Sequence, residues 1–203
     1  MPPTYSSKSF LEQRITETES IILQVRRLID TNSTEMFLVR PDEAGWSAAQ
    51  VIEHLNSYNR FYLPAIGHAL GKTPLPKPRE KFQAGWLGAY FTNLMMPASD
   101  GRVQKKMQAP RDHRPSPVLD TASVLQEFLE GESRLLDHLR ASCMTDIGAI
   151  RIPVSISPLI RLKLGDTFHF LIAHQLRHLE QVKRVFATIE PQKEIEQDAK
   201  QKI

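Results

Sequence analysis

Three features of the 203-residue chain predict an all-α four-helix bundle. Four long stretches carry apolar residues at helical spacing, capping and stop residues mark their ends, and about fifty residues separate the second from the third. No segment reads clearly as a strand, and no internal repeat is present. One domain over 1–203 accounts for the length, with a single core.

The first helix is expected from about Ser9 to Asp30, where Phe10, Ile15, Ile22, Val25 and Ile29 recur on one side and Asn32-Ser33 follows as a stop. The second begins at Ser47, because Ser47-Ala48-Ala49-Gln50 fits a capping box, and it runs to Leu70 before Gly71. Pro64 inside it cannot donate a backbone hydrogen bond, so a kink is expected there. The third is expected from Thr121 to Arg140, N-capped by Asp120, with an apolar stripe of Val124, Leu125, Phe128, Leu135, Leu136 and Leu139. Gly131 in its middle costs some helix propensity. The fourth runs from Gly165 or Asp166 to Ile189, with Pro191 as its stop and 190–203 as a polar tail.

The long connection is expected to hold a short helix near Trp86–Met96, because Trp86, Leu87, Tyr90, Phe91 and Leu94 share a face. A connection of that length can return the chain to the same end of the bundle, so that helices two and three run parallel. Arg151–Ile156 has some extended character, but Pro153 and Pro158 favour a loop.

Composition excludes several classes of function. No run of about 18 apolar residues is present, so no membrane partner is expected. The N-terminal residues lack the basic start and apolar stretch of a secretory signal, which points to the cytoplasm. Cys143 is the single cysteine, so a metal site must be built from histidine and carboxylate. The net charge of +3 is uneven: residues 71–114 carry nine Lys/Arg against three Asp/Glu. That basic crossover reads first as a solvated loop and second as a site for an anionic ligand; its charges follow no helix face, and no nucleic-acid partner is expected.

The chemistry lies in His174-Gln175-Leu176-Arg177-His178. Residues four apart on a helix stack one turn above another, so both imidazoles can reach one ion. Leu171, Val182, Val185 and Ile189 point with His178, which turns the pair toward the interior, while Arg177, Glu180 and Arg184 take the opposite side. Two inward histidines are costly without a shared partner. His54, on the face of Val51, Tyr58, Phe61 and Ala65, is the candidate third ligand, although a lone histidine there is commonly a core residue. His169 lies well off this face and is expected in a second layer or exposed. His68, His113 and His138 lack comparable partners, and Cys143 lies outside the constellation.

Gly45-Trp46-Ser47 through Glu53-His54-Leu55, then Leu164-Gly165-Asp166 and His174-x-x-x-His178-x-x-Gln181, resemble the DinB-like metal-binding superfamily in order and spacing. Lys106-Met107-Gln108-Ala109-Pro110 resembles one branch of it. The resemblance implies an up-down-down-up bundle, one divalent metal ion (zinc, nickel or iron(II)) on His54, His174 and His178, and a homodimer. Gln181, one turn beyond His178, is either a residue that orients a ligand or an ordinary polar position. The family includes transferases and isomerases that use low-molecular-weight thiols, and metal-dependent hydrolases. The leading expectation is a metal-dependent thiol S-transferase, with the thiol as cosubstrate. The alternatives are a hydrolase acting through metal-bound hydroxide, for which Tyr58 is the better candidate acid or base than Glu53, and a non-enzymatic stress-related metal or ligand binder.

Overall fold

The computed structural model describes residues 1–96 and 108–201. Its long helices are α1 (Ser7–Thr31), α2 (Ala48–Leu70), α4 (Thr121–Ala141) and α5 (Leu164–Gln201), with a short α3 (Trp86–Met95) in the crossover. Two strand pairs accompany them: β1 (Thr4–Ser6) with β2 (Lys81–Gln83), and β3 (Arg151–Val154) with β4 (Ser157–Lys163), both antiparallel. No helix among the described residues is long and apolar enough to cross a membrane.

Cross-helix contacts establish the directions. Asn56 reaches Val124, Asn59 reaches Glu132 and the Leu63 carbonyl meets His138, so α2 and α4 climb together. Thr34 meets Thr121 and Glu19 meets Arg140, so α1 and α4 are antiparallel. Tyr58 lies against His174 and Tyr62 against Phe170, so α2 and α5 are antiparallel as well. The order is therefore up-down-down-up, and the crossover between α2 and α4 makes it possible.

Local chemistry explains the helix starts. Ser47 and Gln50 form the capping box in both directions, Asp120 accepts from Ser123 N, and Ser6 caps α1. The core is continuous, with Ile21, Phe37, Ile52, Ile66, Phe128, Leu135, Phe168 and Val182 at most 1% exposed. Each such side chain contributes roughly 1.5–3 kcal/mol relative to exposure. Gly131 has a packing reason, because a Cβ there would lie 2.8 Å from Asn59 Nδ2.

Several expectations change. α1 buries Phe10, Leu11, Arg14, Thr18, Ile21 and Val25, a stripe turned away from Ile15 and Ile22 because two of its positions are polar. Arg14 is accommodated by an ion pair to Glu17 at 2.6 Å and by the Phe10 ring. α3 buries Gly88, Thr92 and Met95, leaving Trp86 and Tyr90 outside. Glycine 88 lets the helix approach α5, where a Cβ would collide with Asp166. Phe61 also points outward, and Tyr62 takes the inner position.

The expected loop at Arg151–Ile156 is instead half of a hairpin. Its register slips at Pro153/Val154, and a two-stranded pair leaves a free edge for a residue without an N–H. α5 does not stop at Ile189 but continues through Pro191 to Gln201. Proline removes one backbone bond there, and the Glu-, Gln- and Lys-rich residues beyond it favour helix. α2 likewise passes through Pro64, which is exposed. Part of the basic crossover, including Arg102, Lys105, Lys106 and Met107, lies outside the described residues.

Candidate metal centre

Sequence order separates His54 from His174 by 120 residues, and the antiparallel packing of α2 on α5 brings them together. The nearest ligand atoms of His54, His174 and His178 all lie within 4.8 Å of one another. Their ring centroids are 4.5 Å apart for His174 and His178, 4.7 Å for His54 and His178, and 5.1 Å for His54 and His174. His54 and His174 are buried, and His178 is half-buried, so it marks the side nearest solvent.

The outer hydrogen bonds decide which nitrogens face the centre. His54 Nδ1–H donates to the His113 carbonyl at 2.6 Å, leaving Nε2 with its lone pair toward His174. His178 Nδ1–H donates to Gln181 Oε1 at 2.9 Å, which again leaves Nε2 free. Partners of this kind orient metal-binding imidazoles. His54 Nε2 and His174 Nε2 stand 3.2 Å apart. Two bare nitrogens at that distance repel unless a proton or a metal ion lies between them. Neighbouring nitrogens on a tetrahedral zinc ion are about 3.3 Å apart, so the residues fit a divalent ion.

Burial also suits the donor set to metal. Desolvation lowers the His54 pKa to about 4 and that of His178 to about 3, and carries His174 well below its ordinary value. All three are therefore neutral at physiological pH, as ligation requires.

His113, assigned no role from its spacing, lies at this site. It closes a 3-10 turn, Arg111–His113, in the crossover, and its ring stacks on Tyr58 with centroids 3.9 Å apart. Ser57 Oγ gives its one hydrogen to the His54 carbonyl at 2.6 Å, so its oxygen accepts from His113 Nδ1–H at 2.9 Å. A backbone carbonyl as outer partner leaves no mark in a sequence; the signal would have been the proximity of the turn.

Tyr58 packs against His54 and His174, and burial raises its pKa to about 12. Trp46 covers another side of His54, with centroids 5.2 Å apart. Glu53 is drawn away by Arg60, which also binds Glu127, and is no acid or base for this centre. Arg177 was expected on the solvent side, but α3 covers that face of α5 and Arg177 donates to the Leu94 carbonyl, buried. His169 stands in a second layer as expected, against Tyr5 and Phe10. His68 is exposed, and His138 donates to the Leu63 carbonyl. A cleft of about 1010 Å³ beside Lys8, Arg79, Lys81 and Cys143 is lined by none of the three histidines.

The profile of the DinB superfamily matches residues 22–182, a span that contains all three. The chain belongs to the DinB superfamily. A solved structure similar to it is that of YfiT from Bacillus subtilis, described as a probable metal-dependent hydrolase with an unusual four-helix bundle topology. The likeness has a TM-score of 0.58 at 14% identity and covers 93% of each chain. At that identity it establishes the shared fold. No curated protein matches the chain.

Proposed function

We propose that this DinB-superfamily protein is a metal-dependent thiol S-transferase, with one divalent ion on His54, His174 and His178. The observation that carries the reading is the donor set: three neutral imidazoles converge, and no carboxylate joins them among the described residues. An ion held this way keeps its full charge and supplies Lewis acidity, lowering the pKa of a coordinated thiol. A thiol starts near pKa 8.5, about seven units below water, so its ionisation would need no strong general base from the chain.

The chain's own residues perform the remaining tasks. Gln181 and the His113 carbonyl hold two of the rings, and Tyr58, Trp46 and Phe170 limit water around them. Arg111 and Arg114 flank His113 in sequence and supply positive charge for the carboxylates of a small thiol. In the transfer, the thiol gives its proton to solvent water, its sulfur bonds to an electrophilic carbon of a small-molecule substrate, and the leaving group departs with the electron pair of the bond that breaks.

The second reading is hydrolysis, favoured by the description of the YfiT structure. A divalent ion on three neutral imidazoles would also lower the pKa of bound water to about 7, so hydrolysis needs no carboxylate base, and the two readings are separated by assay. We also propose that the chain works in the cytoplasm as a homodimer, which sedimentation of the purified protein tests.

The decisive experiment measures bound metal in untagged protein, then conjugation of glutathione and cysteine to a chloronitroaromatic with zinc, nickel or iron(II). Metal-stimulated conjugation, lost in His174→Ala, supports the transferase. Metal uptake with ester hydrolysis but no conjugation replaces it with the hydrolase.

A further inference from the structure

Behind the histidines lies a second buried polar group. Asn59 on α2, Glu132 on α4 and Gln175 on α5 are 5%, 0% and 2% exposed. One oxygen, Glu132 Oε1, accepts from Gln175 Nε2 at 2.7 Å and from Asn59 Nδ2 at 3.1 Å. The two donors stand on the helices that carry the ligands. Gln175 follows His174 directly, and Asn59 comes five residues after His54. α4 contributes no ligand, yet it bonds to both helices through this single atom.

Stability alone does not account for the arrangement. Glu132 lies between Phe128 and Leu135 on the apolar stripe of α4, where leucine would pack without desolvating a carboxyl group. Glu132 Oε2, Asn59 Oδ1 and Gln175 Oε1 have no hydrogen-bond partner among the described residues, and burial raises the carboxyl pKa to about 8. Buried polar groups of this sort can be replaced by apolar ones at little cost in stability. What directional bonds add is register. Apolar side chains permit two helices to slide, whereas a shared acceptor holds both donors at hydrogen-bond distance. The approach of His54 to His174 at 3.2 Å has little tolerance for such sliding.

We propose that Glu132 is a positioning residue for the three-histidine centre, holding α2 against α5 through Oε1 and so setting His54 opposite His174. This rests on the metal reading above, and extends it to a helix that supplies no ligand.

The test compares wild type, Glu132→Gln and Glu132→Met in the full chain. Zinc affinity is read by chelator competition, the visible absorption of bound cobalt(II) reports coordination geometry, and circular dichroism reports folding. Glu132→Met is expected to raise the zinc Kd at least tenfold and to alter the cobalt bands. Glu132→Gln keeps an oxygen that accepts from both amides, so its Kd and spectrum are expected to stay within about twofold of wild type, as a conservative rescue. A folded Glu132→Met with unchanged Kd and spectrum overturns the proposal. Equal loss in Glu132→Gln overturns it too, because charge would then matter rather than the shared acceptor. If Glu132→Met does not fold, Gln175→Met removes only the α5 bond, and the same two readouts decide. Wild-type protein that takes up neither zinc nor cobalt defeats the metal reading itself, and this inference with it.

Discussion

His169 shares α5 with His174 and His178, and like them it lies among aromatic rings. Burial depresses His169 and His54 alike, to about 4. Yet His169 packs at right angles to the rings of Tyr5 and Phe10, whereas His54, His174 and His178 bring ring nitrogens toward one another. A shifted pKa therefore does not distinguish a ligand from a packed histidine. Convergence of ring nitrogens does, together with the outer acceptors that assign the tautomers of His54 and His178.

The largest effect expected is complete loss of metal. His54→Ala and His174→Ala should each remove stoichiometric zinc, whereas His169→Phe should bind it within about twofold of wild type, as elemental analysis and chelator competition would show. Metal loss in His169→Phe would break the contrast.

Gln181→Leu comes next. It deprives His178 Nδ1–H of its acceptor, and zinc affinity should fall roughly 10- to 100-fold with the fold intact. Unchanged affinity would make Gln181 an ordinary polar residue of the bundle.

The pH dependence of metal-free stability sharpens the contrast further. His169 is held neutral, so its contribution is present above its unfolded pKa of 6.5 and is lost as pH falls toward about 4. Glu132 acts in the opposite sense. Its folded pKa of about 8 exceeds the ordinary 4.5, so the native state holds the extra proton, and stability declines as pH rises from about 4.5 through about 8. Each slope amounts to a few kcal/mol on the order-of-magnitude scale of such shifts. Urea titrations across pH should lose only the His169 share of the first slope in His169→Phe, because His54, His174 and His178 add to it in the metal-free protein, and the second slope in Glu132→Gln.

The smallest effect is that of Ser57→Ala. It removes the bridge from His113 to α2 and should cost about 1 kcal/mol in denaturant unfolding, with metal still bound.

Much of this was legible along the chain because it is local. The Ser47–Gln50 capping box, the Asp120 cap, the α4 stripe and the i, i+4 histidine pair all depend on residues within one or two helical turns of each other. The short strands were not legible, since β1 meets β2 across more than seventy residues and neither has enough length for an alternating pattern. The outward side of Phe61 was not legible for a related reason: which face of a helix is buried depends on what packs there.

The helices, their caps, the inward turn of His174 and His178, and a crossover long enough to make α2 and α4 parallel follow from backbone geometry and spacing, and are written along the chain. Packing in three dimensions brings His54 to the pair, sets a carbonyl of the crossover against it, and lets one oxygen of α4 bond to both ligand-bearing helices. Those are contacts between groups 43 to 120 residues apart, and their distances come from packing, which no local pattern encodes.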